Sequence, residues 1–144
     1  MTRLDSSAPD LADKLRRASL EKQRAACVMA CEFAITQAKL EHPLVEQALD
    51  KVRSAGIFTK EEKAELDSLA AQLDEEYFAL QEAAEEGRAN PEDHMRPFSQ
   101  SRAITALSIA GGEDISQVGE AIYEASAAVD EIDEFSARIL SLLQ

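Results

Sequence analysis

Residues 25–35 read AACVMACEFAI, and wound as a helix they leave no polar side, because Glu32 is their single charged residue. A helix that is apolar all round is normally buried on all sides, so this stretch is expected at the centre of an all-α fold. Around it, Leu11, Leu15, Ala18, Ala25, Met29, Phe33 and Leu40 recur at three- and four-residue spacing. Ser7, Pro9 and Asp10 supply a start signal, since Pro is tolerated in a first turn and acid is favoured near the positive helix end. The first helix is predicted over 9–40.

Outward from there the helical period continues. Pro43 opens a second helix over 43–55, with Leu44, Ala48, Leu49 and Val52 on one face and Gly56 placed for a left-handed cap. Thr59 and Glu62 form a capping box, each satisfying an orphan donor of the other, and begin a third helix over 59–86 with the stripe Leu66, Leu69, Leu73, Tyr77, Leu80 and Ala84. Residues 88–97 (RANPEDHMRP) hold two prolines and no apolar period, which predicts a loop. A fourth helix follows over 98–110 (Ile104, Leu107, Ile109), closed by Gly111 and Gly112. Asp114 to Gln117 resembles a second capping box and starts a fifth helix over 114–143, with the stripe Ile115, Val118, Ile122, Ala125, Val129, Ile132, Ile139 and Leu143. Strand-like alternation occurs nowhere. The expectation is one domain over 1–144, an antiparallel bundle of about five helices around the first.

Charge divides this frame unevenly. Residues 1–58 carry nine Lys/Arg and eight Asp/Glu, whereas residues 59–144 carry six and twenty. Residues 64–87 and 103–137 have no basic residue and eight acidic ones each. Like charges at i,i+4 cost a few tenths of a kcal/mol per pair, on the order of 0.2–0.5, so something beyond solubility is expected to maintain them. A net charge of −13 disfavours nucleic acid and anionic membranes and accelerates association with a basic protein.

A chain of 144 residues can bury roughly 68–70% of its unfolded surface. No apolar run is long enough to span a bilayer, and the opening MTRLDSSAPDLADKL lacks the apolar core of a signal peptide; a soluble, cytoplasmic protein is expected. Cys27 and Cys31, on one helix, would place their Cβ atoms about 5–6 Å apart, beyond the roughly 3.5–4.5 Å that a disulfide needs. They read as free thiols in the core rather than metal ligands. Neither His42 nor His94 follows an acid at the three-residue spacing of di-iron bundles, and Gly-rich phosphate loops and nucleophile elbows are missing. No enzyme activity, metal or cofactor is expected. Glu32 is read as paired with an arginine such as Arg102 or reaching solvent, His42 as shaping the turn before Pro43, and His94 as a loop residue.

Projection at 100° per residue gives the acid a shape. On the third helix Glu75, Glu82 and Glu86 fall opposite the apolar stripe, and Phe78 lies among them with Asp74 and Glu82 as its i±4 neighbours. On the fifth, Tyr123 leaves the stripe near Glu120 and Asp130, flanked by Glu124 and Glu131. Aromatic anchors set in steering charge suit a protein interface. The alternative is that Phe78 and Tyr123 fill space between helices and the acids are merely solvated.

The order of features, a Cys- and Ala-rich first helix, then His42-Pro43 with EQALDKVRSAG (46–56), SRAITALSIA (101–110) and EAIYEASAA (120–128), resembles the small all-helical immunity proteins that bacteria encode beside secreted or contact-delivered toxins. The resemblance covers roughly 100 of the 144 residues and lies in ordering and alanine-rich character rather than in a motif, so no family residue transfers. It implies a non-enzymatic protein that blocks one cognate toxin. Two further readings stand beside it: a self-associating scaffold or adaptor using the same aromatics in a homodimer, and a small-ligand binder or enzyme with a pocket between the first and fifth helices around Glu32 and Arg102.

Overall fold

A computed structural model of the chain describes residues 3–90 and 94–144. Its regular structure is entirely helical: α1 (Arg3–Ser7), α2 (Pro9–Arg17), α3 (Leu20–Gln37), α4 (Pro43–Arg53), α5 (Lys60–Glu85), α6 (Met95–Ala110), a 3-10 turn (Ile115–Gln117), α7 (Val118–Ala127) and α8 (Ile132–Leu143). The all-α class is therefore as expected. The number of helices is not: among the described residues there are eight α-helices where the sequence predicts about five.

Local hydrogen bonding explains the extra breaks. The predicted 9–40 helix parts at Ala18 and Ser19, both extended, where Ser19 Oγ accepts from the Lys22 N–H and caps α3. Gln23 Nε2 donates to the carbonyls of Leu15 and Ala18, covering the open end of α2. At the far end, Lys39 adopts a left-handed φ of 55° and α3 stops at Gln37. At the end of α4 the left-handed residue is Ala55 (φ 60°), not Gly56. Ala55 N–H bonds to the Val52 carbonyl and Gly56 N–H to that of Lys51, the paired bonds of a Schellman cap.

The predicted 114–143 helix also divides. Asp114 does not cap an α-helix; its carboxylate accepts from both the Ser116 N–H and hydroxyl and winds the 3-10 turn. A second break at 128–131 places Asp133 and Glu134 in the first turn of α8, where the helix dipole favours acid. That break makes Ile132 the first residue of α8. Ile132, expected in the core, is exposed, and Phe135, absent from the predicted stripe, takes the buried position with Ile139 and Leu143. The side chain of Ile115 lies outside the described residues, as do positions 91–93 of the predicted loop. α6 begins at Met95, earlier than expected, with Pro97 in its first turn, where a missing N–H costs little.

α3 packs against α4, α6, α7 and α8. Ala26, Ala30 and Ala34 of α3, Ala103 and Ala106 of α6, and Ala121 and Ala125 of α7 are all fully buried; small side chains shorten the distance between helix axes. The short α1 and α2 close over α7 and α8 with Leu4, Leu11 and Leu15. One side of the all-apolar stretch departs from expectation: Ala25 is exposed, and Val28 and Met29 are only half-buried.

α5 lies at the margin of this assembly. It packs chiefly on α6, with a lesser contact to α4, and only Leu66 and Ala70 are buried along its 26 residues. Its start is fixed by the expected capping box, with Glu62 Oε1 accepting from the Thr59 N–H at 2.8 Å and from Lys51 Nζ at 2.5 Å. The Lys51 ammonium, then the Thr59 N–H, hold the Glu62 carboxyl below its usual range. Its stabilising share is thus present at neutral pH and lost as pH falls through that lowered value.

Gly111 ties the end of α6 to the segment before α5. Its carbonyl accepts from the Phe58 N–H at 2.9 Å, and a Cβ there would stand 2.1 Å from the Phe58 ring. Gly111→Ala should destabilise the protein by about 1–3 kcal/mol, the usual range for overpacking. Urea unfolding checks this, and an unchanged midpoint would show that the Phe58 ring swings aside freely.

Candidate interaction surface

The second half of α5 leaves the body of the protein with its outer side uncovered. Tyr77, half-buried, faces the start of α6, where its ring meets His94, just before the helix, and Phe98 within it at centroid distances of 5.3 and 5.4 Å. Tyr77 also carries Phe78, ring edge to ring face at 5.2 Å. Phe78 itself is 62% exposed. Glu75 and Glu82, three residues before it and four after, share its side of the helix and are exposed. Among the described residues neither has a cation within ion-pair distance. Glu76 and Glu85 are exposed in the same way, and the projection onto a single face did not select them. Glu86 keeps its exposure but pairs with Arg88, whose Nε lies 2.7 Å from Oε2. Met95, at the start of α6, adds a second exposed apolar side chain, 48% accessible.

Asp74 points the other way. Its Oδ1 accepts from the Ser101 hydroxyl at 2.6 Å and lies 3.7 Å from Arg102. This is one end of a charged network that joins α1, α5, α6 and α7. Arg102 donates to Glu124 at 3.2 Å, Arg3 donates to the other Glu124 oxygen at 2.7 Å, and Arg3 also holds Glu120 at 2.7 Å. Glu124 is buried at 4% exposure. The Glu120 and then the Glu124 carboxylate raise the Arg3 guanidinium further above its usual range. That same guanidinium covers the Tyr123 ring at 4.4 Å. Tyr123 is half-buried against the core.

The ten residues projected from the sequence thus fall into three places. Glu75, Phe78, Glu82 and Glu86 stand on the outer face of α5. Asp74, Glu120, Tyr123 and Glu124 are engaged in the network with Arg3 and Arg102. Asp130 and Glu131 are exposed at the turn between α7 and α8, where a hydrogen bond with Glu134 raises the Glu131 carboxyl and the charge of Asp130 adds to the effect. No sequence signal placed Arg3 over Tyr123, because the two are 120 positions apart and the contact depends on how α1 folds back.

Glu32 pairs with Arg53 at 2.5 Å, not with Arg102, which is committed to Glu124 and Asp74. His42 Nδ1 accepts from the Leu44 N–H at 3.1 Å and caps α4. Cys27 and Cys31 are free and buried, and contact with the Cys27 side chain together with burial pushes the Cys31 thiol well up. Among the described residues no group of three His, Cys, Asp or Glu converges as a metal site, and no helix is long and apolar enough to cross a membrane. No protein family, curated protein or solved structure matches this chain.

Proposed function

We propose that this chain is a non-enzymatic protein-binding module, an immunity or inhibitor protein whose helical bundle neutralises a cognate toxin of basic surface. The outer face of α5 is its interface. The observation that carries this reading is Phe78, an aromatic ring left 62% exposed on a helix face whose neighbouring carboxylates, Glu75 and Glu82, have no cation partner among the described residues. Buried on binding, such a ring contributes much of the affinity, while the surrounding charge accelerates encounter. This interface is smaller than the acidic surface expected from the sequence, since Glu120, Tyr123 and Glu124 are engaged in holding α1 in place.

Reversing Glu75 and Glu82 to lysine should slow association with the toxin encoded beside the gene by about tenfold or more at low salt and flatten its salt dependence. Phe78→Ala should act mainly on dissociation and weaken binding by about 2 kcal/mol or more. Surface plasmon resonance at two salt concentrations measures both. Unchanged rates in both variants would remove α5 from the interface.

Self-association is the competing use of the same face, favoured by the two exposed side chains Phe78 and Met95. A two-fold dimer through this face would set the carboxylates of each copy against their equivalents, which a net charge of −13 makes costly. Sedimentation at micromolar concentration should therefore give a monomer; a dimer abolished by Phe78→Ala would favour the scaffold instead.

A further inference from the structure

The apolar stripe that α3 leaves uncovered opens onto a groove, and no α5 residue lines it. Ala25, Val28 and Met29 form one wall, Val52 and Ile57 from the end of α4 another, and Ile109 and Val118, on either side of the 3-10 turn, a third. The space is about 480 Å³, within the roughly 300–1,000 Å³ of small-molecule pockets. Ile57 is 51% exposed. A helix whose sequence is apolar on every side is here left open on one of them, and such a conflict between local pattern and fold is expected at functional sites.

The charges lining the groove choose among occupants. Glu32 and Arg53 satisfy one another at 2.5 Å. Glu21, Arg24, Glu113 and Asp114 have no ion-pair partner among the described residues; the Ser116 hydroxyl and N–H, and after them the Gln117 side chain, hold the Asp114 carboxyl below the usual range. That leaves three carboxylates against one guanidinium around an apolar floor. A second copy of this chain, at net charge −13, is a poor fit to such a rim.

We infer that this groove binds a small molecule with an apolar body and a protonated amine, the body against Val28, Met29 and Ile109 and the amine at the rim that Glu21, Glu113 and Asp114 make acidic. The site is separate from the outer face of α5, so a ligand there and a protein partner on α5 are tested independently.

Three probes sharing one ten-carbon chain separate the contributions: decylammonium, decanol and decanoate, each titrated into the intact protein and followed by backbone amide NMR. Decylammonium should saturate with shifts at Val28, Met29, Ile57 and Val118, about tenfold more tightly than decanol, with decanoate weaker still. Glu21→Gln combined with Glu113→Gln should bring decylammonium to the affinity of decanol and leave decanol unchanged. Ala25→Trp, from an exposed position, should fill the groove and abolish binding of all three. Shifts confined to the acids of α5, decanoate as tight as decylammonium, no saturation, or full binding by Ala25→Trp would each overturn the assignment. The two Glu substitutions are at exposed positions, so the charge test stands even where the tryptophan variant does not fold.

Discussion

Phe135→Ala should lower the free energy of unfolding by about 3–5 kcal/mol, the range for deleting a buried phenylalanine. The ring is 1% exposed and meets Phe33 of α3 edge to face, with centroids 5.6 Å apart and planes inclined at 73°. Its removal costs the transfer of the ring to water, the cavity left behind, and an aromatic pairing worth about 0.5–1.5 kcal/mol beyond area. The surroundings cannot collapse easily, because α3 is held on other sides by α6 and α7 through fully buried alanines. Phe135→Leu refills most of the cavity and should recover more than half of the loss. Urea unfolding of the two variants tests the packing of α8 on α3; a loss below about 1 kcal/mol for the alanine variant, small on the scale of buried phenylalanines, would mean that α8 is not seated there.

Glu124→Ala has the second largest expected effect, a loss of about 2–4 kcal/mol, near the cost of removing one partner from a buried ion pair. Glu124 is the shared acceptor between Arg3 and Arg102, and without it two guanidinium groups face each other across a vacated site. The effect stays at the lower end of that range because the Arg3 side chain is 54% exposed and can turn to water. Glu124→Gln, which keeps the volume and can still accept from one arginine, should cost less. The same variants separate structure from binding. The charge of Glu124 is offset by Arg3 and Arg102 and lies away from the outer face of α5, so the association rate of the refolded Glu124→Gln protein should stay close to that of the wild type while Glu75 and Glu82 reversals do not. A slowed association for Glu124→Gln alone would place this carboxylate in the interface after all.

The contrast between Glu82 and Glu124 shows where projection along a helix stops being informative. Both fall outside an apolar stripe, both belong to runs with no basic residue, and a helical wheel treats them alike. Their fates differ because α5 has little beyond α6 to pack on, whereas Glu124 meets Arg102 from α6 and Arg3 from a helix 121 positions away. The break at 128–131 makes the same point for apolar residues: it leaves Ile132 exposed at the first position of α8, while Phe135, one turn before Ile139, takes the buried place.

By itself the sequence determined the all-helical class, the start of α4 at Pro43, the capped start of α5, the apolar character of α3 and the acidic outer side of α5, because these depend on residues within a few positions of one another, joined by caps, dipoles and the 3.6-residue period. The tertiary structure alone decided which acids are free and which are bound, that one stripe of α3 borders a groove, and that Tyr123 lies beneath Arg3. Those outcomes turn on contacts between distant segments, where the energy of burying one helix against another overrides what each segment prefers alone.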